Sequence, residues 1–145
     1  MRLKTKGFTL IELLIVISIL GLLVLALIFS LKGQMAKGRD AKRKADVHLL
    51  KTAVEEYEKD HDCYPDPADF EECGETFEPY LPTILCDPFT GDAYYYEIPP
   101  GGEACPRWFR IYAKLENLND NSILAGIGPN KSYNYYVSSP NAPIP

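Results

Sequence analysis

The fold of this chain depends on Lys6-Gly7-Phe8-Thr9-Leu10-Ile11-Glu12 and on the apolar run that follows, which continues to Leu31. Glu12 is the only charged residue between Phe8 and Leu31. A helix of that length rises 1.5 Å per residue and covers roughly 35 Å, enough for the ~30 Å hydrocarbon core of a bilayer. The run therefore predicts a membrane-spanning helix with one carboxylate near its start.

A short basic leader ending in Gly7, followed by Phe8 and then by Glu12 inside the apolar run, resembles a known signal. It is similar to the class III signal of type IV pilins and of the pilin-like proteins of type II secretion. The resemblance is strongest over the leader and the apolar run, and it continues to residue 66. It implies that a membrane prepilin peptidase cuts between Gly7 and Phe8 and methylates the new α-amine of Phe8.

The charge on Glu12 has a physical reading beside the resemblance. A carboxylate in a membrane segment costs about 2.5 kcal/mol or more, so it is usually paired and functional. A new amine on Phe8 and the side chain of Glu12 lie four residues apart, on one face of a helix. Within one chain Glu12 can compensate that amine and the helix dipole, and between chains it can pair with Phe8 of a neighbour and set an axial stagger.

Three other membrane signals fit the sequence less well. An ordinary secretory signal peptide needs a small-x-small cleavage site after its apolar core, and none follows Ile28. A plain signal anchor would not need Glu12. A lipoprotein would need an early cysteine, and the first is Cys63.

Length and charge leave room for one small exported domain. The 145 residues carry 15 Lys and Arg against 20 Asp and Glu, a formal net charge of −5, and loss of the leader would remove three of the cations. An acidic head argues against bulk attraction to nucleic acid. The positive-inside rule favours a cytoplasmic leader but is equivocal, because the far flank is also basic. The cations of that flank are Lys32, Lys37, Arg39, Lys42, Arg43 and Lys44.

The leader resemblance and the cysteines place the bulk of the chain outside the cytoplasm. Four cysteines, an even number, in a small exported domain predict two disulfides. Three pairings are possible, and we favour Cys63–Cys73 with Cys86–Cys105 because each closes a loop flanked by turn residues. A zinc site would normally show paired CxxC knuckles, which this sequence lacks.

The apolar helix is expected to continue past the membrane as an amphipathic helix. Val47, Leu50, Val54 and Tyr57 recur at spacings of three and four, which predicts one buried stripe. Prolines within residues 64–67 predict that the helix ends near residues 60–62. The basic flank before the stripe is a solvated face that touches lipid headgroups, or else it pairs with acidic surfaces of neighbouring subunits.

The rest of the chain predicts a braced β-rich head. Residues 66–88 form a loop with one short helical turn, and residues 86–96 resemble the Asp-Pro-x-Gly-x-x-Tyr signature of major pseudopilins with one extra residue. Three strands follow, at 93–98, 108–115 and 133–138; residues 108–115 alternate with a two-residue period. An antiparallel meander would bury one face of each strand against the helix stripe. The tail from Ser139 is expected to be extended and mobile.

These elements predict an α+β chain, with a long N-terminal helix packed on a small antiparallel sheet, as in pilin-like proteins. The expected segments are a leader at 1–7, a membrane helix at 8–31, its amphipathic continuation at 32–62 and a disulfide-braced head at 63–145.

No catalytic constellation is evident, and we read the chain as a non-enzyme. His48 and His61 fit helix-surface and helix-end positions. One ligand is worth naming, because major pseudopilins commonly hold calcium in a loop near the C-terminus. The nearest equivalent here is the 116–121 loop, in which Glu116 and Asp120 are the candidate ligands, and the alternative is an amide-rich turn. The many strand tyrosines indicate cross-strand packing, or an adhesive patch.

The sequence as a whole indicates a structural subunit of a type IV pilus-like or type II secretion filament. The resemblance implies as partners further copies and related pilins, the prepilin peptidase, an inner-membrane platform protein and an assembly ATPase. The precursor is expected in the cytoplasmic membrane as a single-pass protein with its head outside. The alternatives are a minor pilin that binds DNA or a surface, and a sensor with an uncleaved anchor.

Overall fold

A computed structural model describes residues 7–70, 72–101 and 104–145. Its helix is α1 (Leu10–His61), its strands are β1 (Tyr95–Glu97), β2 (Arg110–Ala113) and β3 (Tyr135–Ser138), and 3₁₀ turns lie at Pro67–Phe70 and Pro129–Lys131. The chain divides into two compact units, which meet between Met35 and Ala36 and are described separately. The expected leader lies outside the described residues except for Gly7.

The first unit consists mainly of the N-terminal part of α1. The large apolar side chains there are exposed: Leu14, for example, keeps 54% of its surface and Leu23 57%. Their helix contains an 18-residue window with a mean hydropathy of 3.1, so by length and composition it can cross a bilayer. The helix runs without interruption through Gly21 and Gly33.

In the second unit, the C-terminal part of α1 carries the predicted buried stripe. Val47, Leu50 and Val54 are each at most 2% exposed, and Tyr57 packs against the same core. The helix ends at His61, as the prolines predicted, and Asp62 follows with a left-handed φ of 57°. Asp tolerates this conformation better than most residues because its short side chain can bond locally, so the chain turns sharply at this point.

The sheet is the predicted antiparallel meander, with strand order β1-β2-β3. Tyr96 pairs with Ile111, and Ile111 pairs with Val137 on the other side. These three side chains belong to the same apolar cluster as the helix stripe. The strands are shorter than the sequence predicted, because the regular pairing covers three or four residues of each. The α+β fold class is confirmed.

The expectation of one buried face per strand is wrong for β2, in which all four residues are buried. On its outer face, the Arg110 Nη1 atom donates to Glu97 at 2.8 Å and the Tyr112 hydroxyl donates to the same carboxylate at 2.6 Å. Tyr133 packs its ring 5.5 Å from that of Tyr112. Because other parts of the head cover this face, a polar residue in an alternating pattern does not here mark a solvent-facing position.

The segment after β3 contributes to that cover. The backbone N–H of Phe109 donates to the Ser139 hydroxyl at 3.2 Å, and the Asn141 side chain donates to the carbonyl of Arg107 at 2.6 Å. The Arg110 guanidinium donates to the carbonyl of Pro143. The tail that the sequence left as extended therefore has defined contacts as far as Pro143.

Both expected disulfides form, but the pairing that we favoured is wrong. Cys63 bonds Cys105 and Cys73 bonds Cys86, with Cα–Cα distances of 5.1 and 5.2 Å. Backbone hydrogen bonds explain the difference. They join Tyr64 N to Pro106 O at 3.2 Å, which aligns Cys63 with Cys105, and Gly74 N to Ile84 O at 2.9 Å, which closes the loop between Cys73 and Cys86.

Candidate processing and assembly site

The start of α1 is closed by a reciprocal cap between Thr9 and Glu12. The backbone N–H and the hydroxyl of Thr9 each donate to Glu12 Oε2 at 2.8 Å, and the Glu12 N–H donates back to the Thr9 hydroxyl at 3.3 Å. The Thr9 carbonyl accepts the first helical hydrogen bond, from Leu13. Thr9 is thus the N-cap and Glu12 the third helical residue of a capping box.

This cap gives Glu12 a partner that the charge argument did not anticipate. The Thr-x-x-Glu spacing is the sequence signal for a capping box and was sufficient to predict it. The carboxylate accepts the backbone N–H of Thr9 at the helix start, where the dipole is positive. The structure therefore places Glu12 where it can serve an amine at the helix start, but the partner that it has in this chain is Thr9.

Gly7 and Phe8 precede the helix in irregular backbone. Phe8 keeps 84% of its surface exposed, and a Cβ atom added at Gly7 would meet nothing within 4 Å. The bond between Gly7 and Phe8 therefore lies outside the helical hydrogen-bond ladder, where no helical turn has to open to expose it. The predicted cleavage position lies at such a bond.

A second polar cluster joins α1 to the head. Arg43, with a side chain 3% exposed, donates to Asp40 at 2.8 Å, to Asp87 at 2.6 and 3.0 Å and to Glu116 at 2.6 Å. Asp40 also accepts the backbone N–H groups of Glu116 and Asn117, at 2.9 and 2.7 Å. One guanidinium therefore links the helix to two separate head loops.

The electrostatics of this cluster follow from its charge pairs. Hydrogen bonds from Arg39, with those from Arg43, lower the pKa of Glu116 to about 2. Burial by itself would raise the pKa of Asp87, but the Arg43 guanidinium outweighs it and the pKa is lowered. The pKa of Arg43 is raised, chiefly by its hydrogen bonds to Asp87. Arg43, Asp87 and Glu116 are therefore ionised at neutral pH.

The two candidate calcium ligands lie at this cluster and near it. Glu116 is paired with Arg39 and Arg43, and Asp120 accepts the Lys44 ammonium at 2.7 Å and the Ser122 hydroxyl at 2.6 Å. The Lys44 hydrogen bond lowers the pKa of Asp120. Within residues 7–70, 72–101 and 104–145, no group of three or more His, Cys, Asp or Glu is placed to hold a metal. Calcium would have to displace these cations.

The two histidines lie at exposed positions of α1, and each contacts a tyrosine. His48 Nε2 is 3.2 Å from the Tyr135 hydroxyl, and His61 stacks on Tyr57 with a ring separation of 4.0 Å. A cleft of about 670 Å³ beside the Arg43 cluster is lined in part by Tyr94, Tyr112 and Tyr133. Its rim includes two exposed apolar side chains, those of Phe89 and Leu118.

Comparison with known families agrees with the geometry of the helix start. Residues 2–28 match the family model of the prokaryotic N-terminal methylation motif, of which residues 2–6 lie outside the described structure. The chain carries this prepilin-type motif. The match confirms the resemblance drawn from Gly7, Phe8 and Glu12.

Part of the chain is also similar in sequence to two type II secretion proteins. It is 36% identical over 62 residues to the type II secretion system core protein G of Aeromonas hydrophila, and also to that of Escherichia coli strain K12. Each match covers 43% of this chain and 43% of the relative, which is less than half of either protein. No solved structure gives a significant match to the chain.

Proposed function

We propose that this chain is a structural, non-enzymatic subunit of a type IV pilus-like or type II secretion pseudopilus filament. The observation that carries the proposal is the prepilin-type motif at 2–28, joined to an apolar helix with exposed sides. The partial similarity to the core protein G of type II secretion favours a secretion filament. The head would form the surface of the filament, and the apolar helix would form its core.

The precursor would be inserted in the cytoplasmic membrane with its leader inside and its head outside. A prepilin peptidase would then cut between Gly7 and Phe8 and methylate the amine of Phe8. Placing that amine beside the capped helix start would bring a positive charge near the Glu12 carboxylate. In the filament, Glu12 of one copy would pair with Phe8 of a neighbour, because both charges avoid lipid when they are paired.

Assembly of the filament would require further subunits and a source of energy. Copies of the same chain and related pilins would build the filament, while a platform protein and an assembly ATPase of the inner membrane would drive it. Repeated contacts that do not close into a ring produce filaments. The acidic head would contribute little attraction to nucleic acid.

Intact-mass and N-terminal peptide analysis of the protein from its native membrane tests this proposal. We expect a chain that starts at Phe8 and carries a methylated amine. Deletion of the peptidase gene is the control, and the protein from that strain should start at Met1. A chain that starts at Met1 while the peptidase is active would leave an uncleaved anchor, and the filament proposal would fail.

A minor pilin with a binding role, in DNA uptake or adhesion, is the alternative. The tyrosine-lined cleft of the head favours it, because concave sites with aromatic walls commonly hold ligands. Filament abundance separates the two roles: a major subunit should dominate the sheared filament fraction, and a minor one should be present at a few copies. Salt-sensitive retention of DNA by the purified protein would favour uptake.

A further inference from the structure

Two loops of the head each present one apolar side chain to solvent. Phe89 lies in the turn after Asp87 and is 69% exposed, and Leu118 follows Glu116 by two positions and is 78% exposed. Among the large apolar side chains described in the second unit, only that of Ile144 is more exposed than these two. Phe89 and Leu118 line the same cleft, so they flank one opening. We call these two residues the apolar rim.

Ion pairs hold both loops at the beginning of the second unit. Arg43 binds one carboxylate in each loop. The Arg39 guanidinium donates to Glu116 at 2.8 Å and lies 5.0 Å from the centre of the Phe89 ring. Because the second unit begins at Ala36, the apolar rim lies beside the first turns of α1 in this unit.

From this end of the head, the chain leads directly into the apolar run. Leu31, where the run ends, precedes Arg39 by eight positions. Eight residues cover about 12 Å as a helix and no more than about 28 Å when fully extended. Once the apolar run spans a bilayer, the apolar rim is therefore within reach of the headgroup layer, whatever the angle between the two units.

The distribution of charge also favours a membrane surface at this end. Residues 55–78 contain eleven Asp and Glu and a single cation, Lys59. Residues 36–54 contain six Lys and Arg, and their only carboxylates are those of Asp40 and Asp46. Anionic lipids attract basic segments within a Debye length and repel acidic ones. The acidic charge of the head is thus concentrated away from the end that carries the apolar rim.

We propose that the apolar rim docks on the phospholipid surface of the membrane that holds the apolar helix. Phe89 and Leu118 enter the boundary between headgroups and acyl chains, and the exposed Lys37 and Lys42 lie at the headgroup phosphates. Apolar burial and attraction to anionic lipid add in such a contact. The proposal rests on the membrane-inserted precursor of the proposed function and assigns a lipid contact to its head.

Tryptophan fluorescence of the full-length chain tests this contact, because Trp108 is its only tryptophan. Trp108 precedes β2, whereas the cleft is lined by the end of β2 and the residues after it. The chain with Phe89→Trp and Trp108→Phe is placed, at high dilution, in vesicles of phosphatidylethanolamine and phosphatidylglycerol. The acyl chains of these vesicles are brominated near the headgroup, and unbrominated vesicles serve as the reference.

Bromine quenches tryptophan only on close approach. Interfacial side chains lie about 5–10 Å into the headgroup boundary, so the fluorescence of the Phe89→Trp, Trp108→Phe chain should fall at least about twofold in brominated vesicles. The fluorescence of Trp108 in the unsubstituted chain should change less than about 1.2-fold, because this residue lies outside the proposed contact.

A matched pair of substitutions in the Phe89→Trp, Trp108→Phe chain tests the second rim residue. Leu118→Asn removes an apolar side chain from the contact and should reduce the quenching at least about twofold. Ile144→Asn makes the same kind of change at an exposed residue outside the apolar rim and should leave the quenching unchanged. Circular dichroism checks that both variants keep the fold.

Alkaline carbonate washing separates failure of the contact from failure of the proposed function. Chains that the wash removes from the vesicles are not inserted, and this result overturns the membrane-anchored precursor itself. Inserted chains without quenching overturn the lipid contact and leave the filament function standing. The same conclusion follows if Leu118→Asn leaves the quenching unchanged, or if Ile144→Asn reduces it equally. Blue-shifted emission without quenching also overturns the contact, because it would show that protein covers the apolar rim.

Discussion

At the scale of single residues, Glu12 has two uses for one carboxylate, a cap within the chain and a proposed pair between chains. In the isolated chain it caps the helix through Thr9. In the proposed filament it pairs with the amine of a neighbouring Phe8. Each oxygen of a carboxylate accepts more than one hydrogen bond, so both partners fit at once if the amine approaches from outside the cap. The two uses can be separated by substitution.

We expect Glu12→Ala to reduce filament yield at least tenfold while the amount of membrane-inserted precursor changes by less than about twofold. The reason is that a carboxylate in lipid is costly to insert but favourable when paired between subunits. Membrane fractionation and shearing of filaments measure the two quantities. Normal filament yield in the variant would contradict the pairing role.

Thr9→Ala is the matched control for that variant. It removes the hydroxyl partner of the cap, at a cost of about 1 kcal/mol to the helix start, but keeps the carboxylate. If inter-subunit pairing matters most, Thr9→Ala should assemble much better than Glu12→Ala. Equal loss in the two variants would mean that Glu12 acts through the cap.

Arg43 is the residue on which the second unit depends most. Arg43→Ala would leave Asp40, Asp87 and Glu116 together without their shared cation, and removal of one partner from a buried charge cluster costs about 3–5 kcal/mol. Denaturant unfolding of the full-length protein in detergent measures this loss. Lys37→Ala, at an exposed position, should change the unfolding free energy by less than about 0.5 kcal/mol. A similar small change for Arg43→Ala would show that the cluster contributes little.

These two sites differ in how far sequence could predict them. Glu12 and its capping partner Thr9 are three residues apart. One short stretch of sequence therefore shows both the isolated carboxylate in the apolar run and the Thr-x-x-Glu spacing. Arg43 contacts Asp87 and Glu116 across 44 and 73 residues. A basic run looks the same whether it faces solvent or pairs with distant loops. Only the fold reveals that Arg39, Arg43 and Lys44 of this run form ion pairs with carboxylates of the head.

At the scale of elements, helix α1 was predictable and the disulfide pairing was not. The helix follows from apolar residues that recur every three or four positions and from the prolines that end it. Strand β2 shows the limit of such patterns, because Arg110 and Tyr112 alternate correctly with apolar residues and are nevertheless buried. The disulfide pairs depend on which loops lie side by side, and backbone hydrogen bonds that leave no mark in cysteine spacing hold these loops together.

The two disulfides should contribute unequally to stability. In the chain-entropy model a cross-link over 42 residues stabilises by about 4 kcal/mol and one over 13 residues by about 3 kcal/mol. Replacing both members of Cys63–Cys105 with Ser should therefore lower the unfolding free energy more than the same change at Cys73–Cys86. Peptide mapping without reduction checks the pairing itself. A peptide joining Cys63 to Cys73 would contradict the structure.

At the scale of the whole molecule, the balance of charge makes stability depend on pH. Glu116, Asp87 and Asp120 have lowered pKa values in the folded chain, Glu116 to about 2. A group with a lowered pKa stabilises the fold above its ordinary pKa, and this stabilisation is lost as the pH falls toward the folded value. Denaturation midpoints should be level above about pH 5 and should fall steadily from about pH 5 to pH 2.

Glu116→Gln provides the control for that profile. It should be less stable at neutral pH and should show a shallower decline in acid, because one of the titrating groups is gone. Circular dichroism at a series of pH values measures both curves. Stability that stays flat or rises on acidification to pH 3 would contradict the charge pairs.

The Arg43 cluster also bears on how the chain keeps its orientation. In the membrane arrangement proposed above, the cations of the basic flank at 32–44 would be unpaired when this segment is first exported. Unpaired cations favour the cytoplasmic side. Once the head folds, Arg39, Arg43 and Lys44 are matched by Glu116, Asp87 and Asp120. Retrograde slippage would then require these pairs to break. In that arrangement, folding of the head would hinder the return of this flank to the cytoplasmic side.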